Sequence, residues 1–184
     1  MNITILAPIL ALALTFSWPT AADQADPRLD ELFARLKEAP EGHEAAMVSR
    51  LIWTIWTHSD SPTVDLLMER SGRAMAAGKH QAALGDLTVV VELAPKFAEG
   101  WNRRATLHYM MGNYPRSIED VHQTLELEPR HFGALSGLGM IYRALEQPRK
   151  AINAFRRALA TNPHLSQARA SLKALLVEIE KNKI

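Results

Sequence analysis

Residues 157–163 read RALATNP, and two earlier stretches end in the same way: residues 89–95 read VVVELAP and residues 123–129 read QTLELEP. The final prolines of these stretches are 34 residues apart in both intervals. Self-similarity at a fixed period in this range is typical of repeat proteins, in which each unit is one supersecondary structure. The period therefore predicts three consecutive units, which span residues 64–97, 98–131 and 132–165.

Equivalent places in the three units carry equivalent residue types. Counting from the first residue of a unit, places 8 and 20 hold only small residues: Ser71, Ala105, Gly139, Ala83, Ser117 and Ala151. Place 15 holds Gly78 and Gly112, and Glu146 in the last unit. Small residues let two helices approach closely, and a glycine between them favours a tight turn. Each unit is therefore predicted to be a helix, a turn and a second helix, stabilised by stacking on its neighbours.

The third unit carries the fullest version of this pattern, with Leu135, Leu138, Gly139, Tyr142, Ala151, Phe155, Ala158 and Pro163. This pattern resembles the tetratricopeptide repeat, and the resemblance covers residues 64–165. It implies an all-α fold, an α-α superhelix in which antiparallel helix pairs form a right-handed solenoid.

Three glycines in the third unit offer a competing interpretation. Gly133, Gly137 and Gly139 have the spacing G-x-x-x-G-x-G, which is similar to a dinucleotide-binding turn. Such a turn needs a preceding strand, whereas here a helix and a proline turn come before it. We therefore interpret Gly139 as a close-packing residue and expect no cofactor.

Two further helical segments flank the repeats. Residues 23–63 contain two amphipathic stretches, predicted to be a helical pair that forms an N-terminal cap or a degenerate repeat. Ser61 and Pro62 are suited to cap and begin the next helix. Trp53 and Trp56 lie outside the apolar stripe of their helix; we expect them to pack on the first repeat, and a partner-facing aromatic pair is the alternative. Residues 166–184 are predicted to be a C-terminal capping helix.

The first 22 residues have the organisation of a signal peptide. Ile3 to Phe16 form an uncharged apolar run that is short for a membrane span, and small residues at Thr20 and Ala22 follow it. No Lys or Arg precedes the run, which is atypical, and a retained N-terminal anchor is the alternative. The sequence predicts a bacterial periplasmic or secreted protein, with cleavage after Ala22.

Composition excludes several classes of function. The chain has 184 residues, a formal net charge of +1 and no cysteine, so disulfides, thiol catalysis and Cys-ligated zinc are excluded. The near-neutral charge gives no indication of nucleic-acid binding. From Arg143 onward, however, the sequence contains nine Lys and Arg residues and only three Asp and Glu residues. This basic C-terminal third is interpreted as a solvated helix face, with binding to an acidic partner or a lipid surface as the alternative.

One charge pattern lies inside the repeats. Place 7 is apolar in the family pattern, but the first two units have Arg70 and Arg104 there, and both have an aspartate at place 23, Asp86 and Asp120. The third unit has neither charge. An arginine facing a core is costly unless it is paired. We therefore predict Arg–Asp ion pairs, within one unit or between neighbouring units.

No sequence pattern supports catalysis. The seven histidines are scattered without metal-ligand spacing, and the nucleophile elbow and phosphate-binding loop are absent from the sequence. We expect no enzyme activity, no metal site and no small-molecule substrate.

The resemblance instead implies a binding groove lined by the first helix of each unit. Carried over by position, the candidate groove residues are Met68, Met75, Asn102, Arg103, Thr106, Tyr109, Met110, Ser136, Gly137, Met140 and Arg143. The methionines suggest an adaptable apolar surface, and Gly137 leaves room for a peptide backbone. The predicted function is a non-catalytic scaffold that binds a protein or peptide, as an adaptor or assembly factor in the bacterial envelope. The alternative is a structural module whose basic C-terminal face binds an acidic polymer or a membrane.

Overall fold

The structure is a computed structural model that describes residues 26–181. Within this range the chain forms nine α-helices and no strand, which confirms the all-α prediction. The proposed signal peptide and the last three residues lie outside the described residues. The helices in chain order are α1 (Arg28–Glu38), α2 (His43–Trp56), α3 (Pro62–Ala76), α4 (His80–Leu93), α5 (Ala98–Met110), α6 (Tyr114–Leu127), α7 (Phe132–Ala144), α8 (Pro148–Thr161) and α9 (Ser166–Lys181).

Helices α3 to α8 form three helix–turn–helix pairs, one for each 34-residue unit. The turn at place 15 has positive φ each time, 69° at Gly78, 73° at Gly112 and 55° at Glu146. Glycine adopts this left-handed conformation without a steric penalty, whereas a glutamate does so at a cost. As predicted, Pro62 begins α3 and the Ser61 side chain accepts a hydrogen bond from the backbone N–H of Val64.

Small residues at places 8 and 20 bring the two helices of a unit together. A Cβ added to Gly139 would lie 2.6 Å from the ring of Phe155, closer than two carbons pack. In the second unit the Ser117 hydroxyl donates a hydrogen bond of 2.7 Å to the carbonyl of Ala105, so places 20 and 8 are joined directly. Gly139 is therefore a packing residue in a helix, as the repeat interpretation requires.

The predicted Arg–Asp ion pairs are confirmed, and they form within a unit. Arg104 donates two hydrogen bonds, of 2.8 and 2.7 Å, to the carboxylate of Asp120. Arg70 binds Asp86 through an equivalent bidentate pair of hydrogen bonds. The pair in the second unit is the more buried, because its arginine side chain is 18% exposed against 58% for Arg70.

His108 lies beside the second ion pair. Its Nε2 is 3.9 Å from the carboxylate of Asp120, and its side chain is buried. Burial lowers the pKa of His108, and the attraction of Asp120 opposes that effect.

The C-terminal helix α9 covers the last repeat. Ala168 and Leu175 of α9 share a hydrophobic cluster with Ile152 and Phe155 of α8. This packing gives α8 a neighbour on its far side, as a repeat stack requires at its end.

The N-terminal helices α1 and α2 lie against the loops that connect the later repeats. Phe33, Ile52 and Trp56 form one core cluster with Phe132 at the start of α7, and Leu165 packs against it. Trp56 stacks on His131, with ring centroids 4.2 Å apart. The expectation that Trp53 and Trp56 pack on the first repeat is therefore wrong: they pack where the second repeat joins the third.

Polar contacts fix this helical pair at two successive junctions. Arg130 binds Asp30 at 2.5 Å at the first junction. At the second, Asn162 donates to the hydroxyl of Ser49 at 3.2 Å and His164 donates to the carbonyl of Leu36 at 3.0 Å. Gly133 is also explained here, because a Cβ at this position would lie 2.7 Å from the Trp53 ring.

Candidate functional site

Two adjoining depressions cross the first helices of the three repeats. One, of about 200 Å³, lies between α3 and α5. The other, of about 180 Å³, lies between α5 and α7. Because both include Asn102 and Thr106, they form one continuous surface, which we call the trough. Its lining residues are Gly72, Met75, Glu99, Asn102, Arg103, Ala105, Thr106, Tyr109, Ser117, Val121, Gly137, Met140 and Ile141.

The structure places most of the predicted groove residues in the trough. Seven of them line it: Met75, Asn102, Arg103, Thr106, Tyr109, Gly137 and Met140. Met110, Ser136 and Arg143 lie on the same helices but line neither depression. Met110 is 48% exposed, and Arg143 is also exposed.

Met68 requires a correction. It is 5% exposed and belongs to the core cluster that contains Val64, Leu87 and Phe97. Methionine is unbranched and flexible, so its side chain can turn from the edge of a helix into a gap between elements. Met68 therefore contributes packing and offers no surface to a ligand.

The floor of the trough contains a buried carboxylate that the sequence analysis missed. Glu99 is 3% exposed. It accepts a hydrogen bond of 2.7 Å from the amide of Asn102 and one of 3.1 Å from the guanidinium of Arg103. Glu99 lies in the first turn of α5, one of the helices that the family resemblance assigns to the groove. The sequence therefore indicated its helix, but not its contacts with His131 and Arg103.

His131 is the third partner of Glu99. Its Nδ1 accepts a hydrogen bond of 3.1 Å from the backbone N–H of Ala134, so in the neutral ring the proton is on Nε2. Nε2 lies 3.3 Å from the Glu99 carboxylate. Because His131 also stacks on Trp56, Glu99 connects the trough to the N-terminal helices.

These contacts determine the charge state of Glu99. Burial alone would raise the pKa of the Glu99 carboxyl, but His131, Arg103 and Asn102 together outweigh it, and the pKa lies below its usual value. At neutral pH the trough floor therefore holds a carboxylate that orients Asn102 and Arg103.

The depression between α5 and α7 is mainly apolar. The Tyr109 ring lies 5.8 Å from that of Tyr114, and Met140 lines the opposite side. Gly137 is in the middle of α7, and a Cβ added there would have no atom within 4 Å. Glycine inside a helix costs about 1 kcal/mol relative to alanine, and no packing contact of Gly137 offsets this cost. The open backbone at Gly137 allows a ligand chain to approach closely.

No group of three or more His, Asp or Glu side chains between residues 26 and 181 is arranged to hold a metal ion. Over the same span, the helices lack the combination of length and hydrophobicity needed to cross a bilayer.

Comparison with known proteins agrees with the repeat pattern. The tetratricopeptide repeat profile matches residues 133–165. A TPR repeat-containing protein of Rhizobium etli is 36% identical over 163 residues, which cover 89% of this chain and 80% of that protein.

Solved structures share the fold. The Sgt2 TPR domain from Aspergillus fumigatus matches with a TM-score of 0.64 at 21% identity, over 67% of this chain and 83% of that domain. The first TPR domain of Spaghetti (RPAP3), solved with the HSP90 peptide SRMEEVD bound, matches with a TM-score of 0.63 at 20% identity, over 67% of this chain and 98% of that one.

Proposed function

This chain belongs to the tetratricopeptide repeat family, and we propose that its trough binds a segment of another protein. The observation that carries the proposal is the trough itself, a continuous surface across three repeats with an open backbone at Gly137. The likeness in fold to a repeat domain solved with a bound peptide supports peptide binding.

The chemistry of the trough supports an extended peptide as the ligand. Tyr109 and Met140 offer apolar surface, and a thioether adapts to side chains of different shape. Arg103 is 30% exposed, while one edge of its guanidinium is held by Glu99. A held donor loses little freedom on binding and can pair with a backbone carbonyl.

We further propose that the protein acts without catalysis, as an adaptor or assembly factor in the bacterial envelope. The proposal for the envelope rests on the apolar, uncharged run from Ile3 to Phe16 and the small residues that follow it. Sequencing the N-terminus of the protein purified from its own cells tests this part. A mature chain that begins at Asp23 is the expected result, and a chain that retains Met1 in the cytoplasm contradicts it.

Site-specific photocrosslinking in intact cells tests the trough. A photoreactive residue in place of Thr106, which both depressions share, is expected to capture a partner protein. The control position is His122, which is exposed on the second helix of the same unit and outside the trough. Identical adducts from both positions would contradict the proposal.

A matched pair of substitutions then tests the captured partner with purified proteins. Met140→Glu places a charge in the apolar depression and should weaken binding at least tenfold. Met110→Glu changes an exposed methionine that lies outside the trough and should alter the affinity by less than twofold. Equal effects of the two substitutions would show that the partner binds elsewhere.

A further inference from the structure

Helix α8 carries a row of cations on its outer face. Arg149, Lys150, Arg156 and Arg157 are all exposed, and α8 contains no Asp or Glu. The two cation pairs are seven residues apart, so they lie on the same side of the helix, about 10 Å from each other. We call these four residues the basic stripe.

Most arginines of the described chain bind a carboxylate, Arg50 and Arg143 being the exceptions, whereas none of the four clustered cations of the basic stripe does so. Arg70, Arg104 and Arg130 each bind an aspartate or a glutamate. Between residues 26 and 181, no carboxylate lies within ion-pair distance of the stripe, and its one charge-related contact is that of Lys150 over the Tyr142 ring. Apart from that contact, the charge of the stripe has no partner within residues 26–181.

The position of the first pair of the stripe also opposes helix stability. Arg149 and Lys150 lie in the first turn of α8, which has no acidic residue. The amino end of a helix carries a partial positive charge, so cations there are unfavourable. Local choices that cost stability in this way are expected at functional sites.

We propose that the basic stripe is a second binding surface, separate from the trough, which docks an acidic segment of a partner protein. Guanidinium groups pair with carboxylates through two parallel hydrogen bonds, and three of the four cations are arginines. Short residues, Asn153 and Ala160, separate and follow the pairs, so a partner backbone can approach between the long side chains. The matching ligand carries carboxylates in two pairs about 10 Å apart.

An extended anionic surface matches this geometry less well than a narrow acidic segment. α9, which packs on α8, also exposes cations, Arg169, which is paired with Glu41, and Lys173. The second helix of the preceding unit, α6, exposes Glu119 and Glu126, so carboxylates limit the basic surface on that side. A bilayer or a nucleic acid that extends over α6 as well as α8 would be repelled by these glutamates.

The test uses the full chain and a fluorescent helical peptide with two pairs of glutamates seven residues apart. A second peptide of the same composition has the four glutamates evenly spread. Fluorescence anisotropy at low salt is expected to show at least fivefold tighter binding of the paired peptide. Equal affinities for the two peptides would overturn the proposal.

Two chain variants with equal net charge complete the test. Substituting glutamine at Arg149, Lys150, Arg156 and Arg157 should reduce the affinity for the paired peptide at least tenfold without lowering the melting temperature. The control carries glutamine at four other exposed cations and should stay within twofold of the natural chain: Arg35, Arg73, Lys79 and Arg116. Similar losses in both variants would overturn the proposal, because net charge alone would then explain the binding.

Vesicles of phosphatidylglycerol and a single-stranded oligonucleotide serve as competing probes. We expect both probes to bind more weakly than the paired peptide. We also expect the affinity of each probe to be the same for the stripe variant and the control variant. Tighter binding of either probe, lost in the stripe variant alone, would overturn the assignment to an acidic protein segment.

Discussion

Removing the carboxylate of Asp120 should destabilise the protein far more than removing the equivalent carboxylate of Asp86. Both aspartates pair with the arginine at place 7 of their own unit. Asp120→Ala leaves the guanidinium of Arg104 beside the core with no carboxylate partner. A buried charge that loses its partner keeps its desolvation cost and loses the attraction that offset it.

The magnitude follows from the burial of the pair. The Asp120 side chain is 5% exposed and that of Arg104 is 18% exposed. Breaking a fully buried pair costs about 3–5 kcal/mol. Because Arg104 retains some contact with water, we expect about 2–3 kcal/mol, which for a chain of this length lowers the melting temperature by roughly 5–10 °C. Asp86→Ala should cause a clearly smaller shift, since its arginine is mostly exposed and the interaction is screened.

The third unit shows which residues occupy these two places when the ion pair is absent. At places 7 and 23 it has Leu138 and Ala154, both buried. The double substitution Arg104→Leu with Asp120→Ala copies this arrangement and should recover most of the lost stability, because an apolar pair can replace a buried ion pair. Thermal unfolding followed by circular dichroism measures all three variants. A fall in melting temperature of less than about 2 °C for Asp120→Ala would refute the reasoning. A double variant that is no more stable than Asp120→Ala alone would also refute it.

Three further expectations use thermal unfolding as the measurement. Residues 146 and 112 both have positive φ, a conformation that favours glycine. Glu146→Gly should therefore stabilise the protein by about 1 kcal/mol, and Gly112→Ala should destabilise it by at least as much. Melting temperatures that shift in the same direction for both variants would contradict this. Within α7, Gly139→Ala should lower the free energy of unfolding by about 1–3 kcal/mol through overpacking, whereas Gly137→Ala should raise it by about 1 kcal/mol. A Gly137→Ala variant less stable than the Gly139→Ala variant would contradict this. The fold lowers the pKa of Glu99, so on acidification this carboxylate is protonated in the unfolded chain before it is protonated in the folded one. The stability that ionised Glu99 contributes is therefore present at neutral pH and is lost as the pH falls below about 4.3. Glu99→Gln should flatten the dependence of melting temperature on pH in that range, and an unchanged slope would count against it.

The helical pairs could be predicted from the sequence because a repeat mostly contacts itself and its neighbours. A residue type at place 8 or 20 reports on a contact within the same 34 residues, as between Ala105 and Ser117. The Arg–Asp pairs were predictable for the same reason, since their charges occur together in two units and are both missing from the third. Periodic sequence carries this information directly.

The docking of α1 and α2 could not be predicted in this way. The polar contacts that dock them join residues 100 or more positions apart, such as Asp30 with Arg130 and Ser49 with Asn162. No periodic pattern connects such pairs, and the apolar stripe of α2 shows only that it must pack against something. The two tryptophans were correctly expected to be packing residues, but their partner surface was assigned to the nearest repeat in sequence.

The trough was predictable in outline and less so in detail. Position within a repeat identifies the helix face, which is why Thr106 and Gly137 lie where the pattern puts them. It does not identify the rotamer of a flexible side chain, and Met68 turned into the core for that reason. Glu99 was missed because a carboxylate at this place is informative only once His131 and Arg103 are known to meet it.

The contacts of Glu99 make the trough depend on the N-terminal helices. In a simple repeat stack, each unit is stabilised by its neighbours, and a groove on the first helices is independent of distant segments. Here Trp56 stacks on His131, His131 contacts Glu99, and Glu99 orients Asn102 and Arg103 at the ligand surface. Each link is a direct contact, and every member except the 30% exposed Arg103 is buried. A polar network of this kind tolerates the loss of a member poorly. A change at Trp56, far from the trough in sequence, should therefore alter ligand affinity as well as stability.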